Sequence, residues 1–274
     1  MGFCPSGFQT VLLESIAMTI AKLFAFCLTL GSIALAHDLY LTREKSEQVC
    51  AGIGEAFPTS ENAITADRLN SFSVWVQTTR KDLKGAVVAK QFCAAAPSDA
   101  AFVAEMTVQP RFIKLKAKDF SGYVHGEGLT NVEATRQQSG QSDAEGRELY
   151  SRYSKLLAGR LGDSATKPLG HALEIVPQKD PAELKPGDSL PVVVMFKGKP
   201  LADAQVSAVY ANAKLKGHEY PVTTRTDAEG RAALKLDRSG LWYARIIYME
   251  PAQNDPEIDW RSYFSTMTFE VPAK

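Results

Sequence analysis

Histidine is scarce in this chain, with four in 274 residues, and none of the four sits in an H-x-H, H-x-x-x-H or H-E-x-x-H spacing. Chelation of a metal by a short local motif is therefore excluded. No G-x-S-x-G nucleophile elbow occurs, and the pairs Ser121-Gly122 and Ser239-Gly240 read as turns, so serine-centred catalysis has no support. Asp255, Glu257 and Asp259 fall in a proline-containing loop and lack the repeated spacing of a calcium loop. Charge of one sign is also missing, since Lys plus Arg and Asp plus Glu each number 31, and no basic stripe interleaves with aromatics. Nucleic acid and anionic membrane surfaces are thereby disfavoured as partners. Beyond residue 36 no apolar run approaches the ~20 residues of a membrane-spanning helix. With no catalytic constellation, the expectation is a protein that is not an enzyme.

What the chain does have is a secretory signal pattern. Met18 reads as the start, Lys22 as the short basic region, Leu23 to Leu35 as the apolar run, and Ala34-Leu35-Ala36 as an A-x-A cleavage site. Removal of residues 1–36 on export to the periplasm would leave His37 as the first residue. An N-terminal histidine carries a free α-amine beside its imidazole, and the two nitrogens can grip one metal ion together. The amine has a reference pKa near ~8 and the ring one near ~6.5, so both release their protons to a metal at modest cost near neutral pH. The bland alternative is that His37 is only the residue left after cleavage.

Strand patterns dominate the remainder. Phe72 to Val76 alternates apolar with polar, and Val87 to Phe92, Phe102 to Val108 and Arg111 to Leu115 read similarly, with Pro110 as a break. Leu173–Pro177, Ser189–Phe196, Gln205–Tyr210, Tyr220–Thr226, Arg231–Leu236 and Leu241–Met249 follow, separated by turns rich in Gly, Pro and Asp. Between them, Leu149, Tyr150, Tyr153, Leu156 and Leu157 recur at three-to-four spacing among charged residues, which predicts an amphipathic helix near residues 145–157. The expected fold is mainly β: two antiparallel β-sandwich-like (immunoglobulin-like) domains with one helical insertion. The N-terminal domain spans 37–167 with a helical flap at about 131–157, and the C-terminal sandwich spans 168–274.

After cleavage the remaining cysteines are Cys50 and Cys93, and two thiols in an exported chain most often form one disulfide. A pair of buried free thiols is the alternative.

The run Leu173-Glu174-Ile175-Val176-Pro177, the Gly198-Lys199-Pro200-Leu201 turn, Thr226-Asp227-Ala228-Glu229-Gly230-Arg231, Gly240-Leu241-Trp242 and Asp259-Trp260-Arg261-Ser262-Tyr263 resemble a periplasmic bacterial family of unassigned function. That family is often labelled a nickel-uptake, NikM-like component. Ala36-His37-Asp38-Leu39, Phe120-Ser121-Gly122-Tyr123 and Glu127-Gly128-Leu129 fit the same pattern upstream. The resemblance implies a non-enzymatic protein of transition-metal uptake or handling, with nickel, cobalt or copper as cofactor. It also implies a carboxypeptidase-regulatory or transthyretin-like C-terminal sandwich and an inner-membrane metal transporter or another protein as partner. Family members often carry a histidine where Glu55 stands here and His-Met where Tyr248-Met249 stand, and both replacements are poorer ligands than imidazole.

The metal-ligating set expected is therefore His37 with Glu55, His125 or Tyr248. His171 reads as a hydrogen-bonded turn residue and His218 as a solvated loop tip. Trp260 and Tyr263 could line a ligand pocket or stack on a sugar, although core packing is the plainer reading. Two other functions compete with metal handling. One is an exported interaction module that binds a partner protein or glycan. The other is a copper redox enzyme, which would need a second histidine near His37.

Overall fold

Nearly every period-two segment forms a strand, and the strands assemble by stacking on both faces of one shared sheet. The computed structural model describes residues 1–2, 37–44, 47–97 and 100–273. The signal pattern and its cleavage site lie outside the described residues. The N-terminal half supplies β1 (Asp38–Glu44), β2 (Gln48–Gly54), β3 (Leu69–Val76), β4 (Thr79–Asp82), β5 (Gly85–Val88), β6 (Gln91–Ala95), β7 (Phe102–Leu115) and β8 (Gly146–Ala158). Helices α1 (Ala117–Gly126) and α2 (Thr130–Gln138) lie between β7 and β8. The C-terminal half supplies β9 (Leu173–Pro177), β10 (Ser189–Phe196), β11 (Lys199–Pro200), β12 (Gln205–Tyr210), β13 (Val222–Arg225), β14 (Arg231–Lys235), β15 (Gly240–Pro251) and β16 (Trp260–Val271).

The central sheet has the order β13-β12-β15-β16-β8-β7-β3-β4 and so draws strands from both halves. Its seam is β8 against β16, which pair in parallel from Trp260 opposite Glu148 to Thr268 opposite Leu156. One face is covered by the sheet β1-β2-β6-β5, the other by β11-β10-β14 with β9 beside β10. Alternation along the central strands shows this directly. Phe102, Ala104, Leu156 and Ala158 join the core under β1 and β2, whereas Val103 and Leu157 join the core under β9 and β10. The fold is thus mainly β, with antiparallel pairing everywhere but the β8–β16 seam and a helical insertion, and its two sandwiches share one sheet. Residues 37–274 form one compact unit.

The helix predicted near residues 145–157 is a correction. Those residues form β8, with β7 on one side and β16 on the other. A central strand covered on both faces carries apolar residues in both parities, so its pattern no longer alternates and can imitate a three-to-four repeat. Tyr150, Arg152 and Leu156 face one side, while Tyr153, Lys155 and Leu157 face the other. The helices form earlier instead. In α1, Phe120, Tyr123 and Val124 are buried at helical spacing, and in α2 the buried residues are Val132 and Arg136. Two strand boundaries also shift. Residues 87–92 make a hairpin of β5 and β6, and Pro110 is absorbed as a register shift between Val108 and Arg111 within one long β7.

Cys50 and Cys93 face each other across β2 and β6 and are bonded. Closing a loop of 43 residues contributes about 4 kcal/mol on the chain-entropy account.

Candidate functional site

Asp38 opens β1, opposite Gly54 of β2, and His37 immediately precedes that strand. The Asp38 carboxylate is 4% exposed and accepts from Arg245 Nε at 2.7 Å and from the Tyr243 hydroxyl at 3.0 Å. Arg245 lies on β15 and continues the chain inward, with Nη1 2.6 Å and Nη2 3.1 Å from the two oxygens of Glu127. Glu127 follows the end of α1 and also takes the Tyr220 hydroxyl at 3.2 Å and His218 Nδ1 at 3.0 Å. One buried guanidinium therefore lies between two carboxylates and packs over the Tyr220 ring at 4.4 Å.

The electrostatics follow from this packing. Burial works to raise the Glu127 carboxyl, but Arg245 and His218 outweigh it and hold the group at about 2. The hydrogen bond to Glu127 raises His218 against the opposing effect of burial. Burial, together with the charge of Asp38, raises the Tyr243 phenol well above its ordinary range.

Outside this network lies a more exposed rim. His37 Nε2 is 3.1 Å from Glu61 Oε2 and 3.8 Å from Glu55 Oε1, and the Asn62 amide nitrogen reaches His37 Nδ1 at 3.4 Å. The ring thus presents Nδ1 to Asn62 and Nε2 to Glu61. The Glu55 backbone N–H donates to the other oxygen of Glu61 at 3.0 Å, which ties the two acids into one turn. Beneath the turn, Phe57 packs against Tyr40 and Tyr243 with ring centroids 5.1 and 4.7 Å apart. The Phe57 carbonyl accepts from Asn212 N at 2.7 Å, which fastens the loop carrying His218 to the same turn.

Residues 34–250 match the model of DUF4198, a domain of unknown function. The chain belongs to the DUF4198 family. No curated protein matches it. Among solved structures, the DUF4198 chain aligns with the D0-D1 domain of Intimin at 11% identity and a TM-score of 0.22, covering 85% of this chain and 97% of that one. It also aligns with the BSP domain of a biofilm-associated protein at 9% identity and a TM-score of 0.21, covering 94% and 55%. Superpositions this loose transfer neither a role nor a strand arrangement.

Among the residues expected to ligate a metal, this DUF4198 domain brings His37 and Glu55 together but leaves the other two elsewhere. Tyr248 is a correction. Along β15, Tyr243 and Arg245 face Asp38, while Trp242, Ala244 and Ile246 enter the opposite core and Tyr248 follows their parity, packing on Phe196 at 4.6 Å. His125 is also a correction, because its side chain is 85% exposed and pairs with Glu133 at 3.0 Å. Trp260 and Tyr263 differ by an odd number along β16, so they face opposite sides and share no pocket. Trp260 is buried near Phe120, and Tyr263 packs on Phe196 and donates to Glu250. His218 and Glu61 are the contributors that sequence reading missed. The signal for His218 was only its turn, Lys216-Gly217-His218-Glu219, which is silent about Glu127, 91 residues away in the chain.

The donor set suits a borderline divalent ion. Imidazole, a released α-amine and carboxylate oxygens are the ligands nickel, cobalt and copper accept. Among the described residues no three His, Cys, Asp or Glu side chains already converge on one metal-sized point.

Proposed function

We propose that this DUF4198 protein is an exported, non-enzymatic metal-binding or accessory protein of nickel- or cobalt-type uptake or handling, working in the periplasm and passing its ion to an inner-membrane transporter. The observation that carries the reading is the state of His37. Its Nε2 lies 3.1 Å from Glu61 Oε2, and Nδ1, the ring nitrogen nearer the backbone, is the one that could close a chelate with the α-amine of a mature chain. Glu61 would then orient the ring, as carboxylates orient metal-binding imidazoles elsewhere.

Isothermal titration of nickel, cobalt, copper and zinc into the signal-cleaved protein tests the reading against a variant with one extra residue before His37. The extended variant is expected to lose at least about tenfold in affinity, since one chelating nitrogen becomes an amide. Equal affinities would remove His37 and this function with it.

A second reading is an exported module that binds a partner protein without metal. It is favoured by Val87 and Val88, 45% and 53% exposed on β5, the outer strand of its sheet. A partner pull-down that survives chelator treatment and is abolished by Val87→Lys with Val88→Lys supports that reading over the first.

A further inference from the structure

A cleft of about 200 Å³ opens on the side of the central sheet that packs under β9 and β10. It exists because the outer sheet stops short. β9 packs on β15 and β16, and further along the central sheet β7 and β3 are covered instead by the segment that joins β8 to β9. Val103 of β7, Trp75 of β3, and Leu161 and Leu169 of that segment line the space, and all four belong to or pack against the core beneath β9 and β10.

A loose segment would collapse into such a space, but this one is fastened at both ends. Leu161 and Gly162 each donate a backbone N–H to the buried Asp180 carboxylate at 2.7 Å, and residues 162–166 then form a 3-10 turn. At the other end Leu169 and Gly170 donate to Glu174, and His171 bonds to Glu105 at 3.0 Å. The Trp75 indole is fixed as well, its Nε1–H donating to Glu105 at 3.1 Å. The cleft is therefore preformed, as small-molecule sites generally are.

Its chemistry is two-sided. Apolar side chains make the floor, and Ser164 and Lys167 bring a hydroxyl and an ammonium to the lining. Lys167 is exposed and forms no ion pair among the described residues, and no carboxylate lines the cleft. An apolar floor beside one uncompensated cation complements an amphipathic anion. Size narrows the class. A dry cavity of roughly 150 Å³ accepts one benzene ring, so this cleft has room for a single aromatic ring with a short acidic substituent.

We propose that this cleft binds a small aromatic carboxylate, with the ring against Trp75, Val103 and Leu169 and the carboxylate on Lys167 and Ser164. The site does not depend on the metal reading above.

Trp75 makes the test specific. Of the three tryptophans, Trp242 and Trp260 are 0% and 4% exposed in the cores, and Trp75 is the one that lines the cleft. Phenylacetate is titrated into the purified protein, with tryptophan excited at wavelengths that phenylacetate does not absorb. A saturable change in emission is expected, and Trp75→Phe is expected to remove it. By isothermal titration Lys167→Gln should weaken phenylacetate by about tenfold and leave neutral phenylacetamide unchanged. Ser164→Phe, which fills the cleft, should abolish binding and serves as the second variant if Trp75→Phe does not fold. No saturable signal from millimolar phenylacetate would overturn the site. Wild-type phenylacetate affinity in a folded Lys167→Gln, or equal binding of phenylacetate and phenylacetamide, would overturn the carboxylate. Tighter binding of hexanoate than of phenylacetate would overturn the aromatic ring.

Discussion

Two buried carboxylates on opposite faces of the central sheet each hold an imidazole, and only one of them leads to the surface. On the face under β9, Glu105 accepts from Ser73 at 2.7 Å, Trp75 at 3.1 Å and Arg80 at 3.2 Å, and its second oxygen meets His171 Nε2 at 3.0 Å. Nearby, Lys155 pairs with Glu174 at 2.8 Å, each 2% exposed, and Glu174 also takes the backbone N–H groups of Leu169 and Gly170. His171 is 7% exposed and stacks on Tyr153. This cluster is a staple: it ties β3 and β7 to the segment entering β9. On the face under β1, Glu127 holds His218 in a similar way, but there the imidazole edges emerge, at 27% for His218 and 20% for His37. The same carboxylate–histidine chemistry is structural where the donors close on one acceptor. On the other face the same pairing leaves a ring edge in solvent.

Breaking the inner member of each cluster should separate the two faces most widely. Arg245→Met would leave Asp38 and Glu127 as buried charges facing each other, and a loss of about 3–5 kcal/mol is expected in urea unfolding. Lys155→Met should cost less, about 2–3 kcal/mol, because Glu174 keeps its backbone donors. Equal losses would mean that the two networks are equivalent in strength and the contrast is only one of exposure.

The pH dependence sharpens the contrast next. Glu105 is held at about 2, because hydrogen bonds from His171, Ser73 and Trp75 outweigh the burial that would raise it, and Glu127 is likewise held at about 2. Depressed carboxyls contribute stability that is present above their ordinary value and lost as pH falls through about 2. Glu148, beneath α1, has the opposite sign. Burial, against hydrogen bonds from Ser262 and Tyr123, raises it from 4.5 to about 7, and one of its oxygens has no partner among the described residues. Its contribution is full below 4.5 and is lost as pH rises through about 7. Thermal melts should show the acid limb blunted in both Glu105→Gln and Glu127→Gln. The decline between 4.5 and about 7 should disappear only in Glu148→Gln.

Smaller effects distinguish the histidines themselves. His171→Ala should cost about 1–2 kcal/mol through its buried bond to Glu105, against less than about 1 kcal/mol for His218→Ala, whose ring is partly solvated. His125→Ala, which touches only an exposed acid, should stay within about 0.5 kcal/mol and leave metal titrations unchanged.

Local features were legible wherever neighbours in sequence are neighbours in space. β9, β10 and β12 fall where the alternation and turn residues predict them, and Gly198 and Gly230 take the positive φ that their turns demand. Pairing of Cys50 with Cys93 was one of two readings, and the β2–β6 register decides for it. Of the residues singled out, His37 and Glu55 lie 3.8 Å apart, whereas Tyr248 and the Trp260–Tyr263 pair are separated from them or from each other by strand parity. His125 points outward from its helix end.

From the residues alone came the β class, the turns and the strand segments with clean alternation, because each depends on backbone preferences within a few positions. Tertiary structure alone decided that β8 is a strand, that one sheet serves both halves, and which imidazole meets which carboxylate. Those outcomes depend on contacts between segments far apart in the chain, such as β8 with β16 and His218 with Glu127, and no local pattern encodes which distant partner will cover a given face.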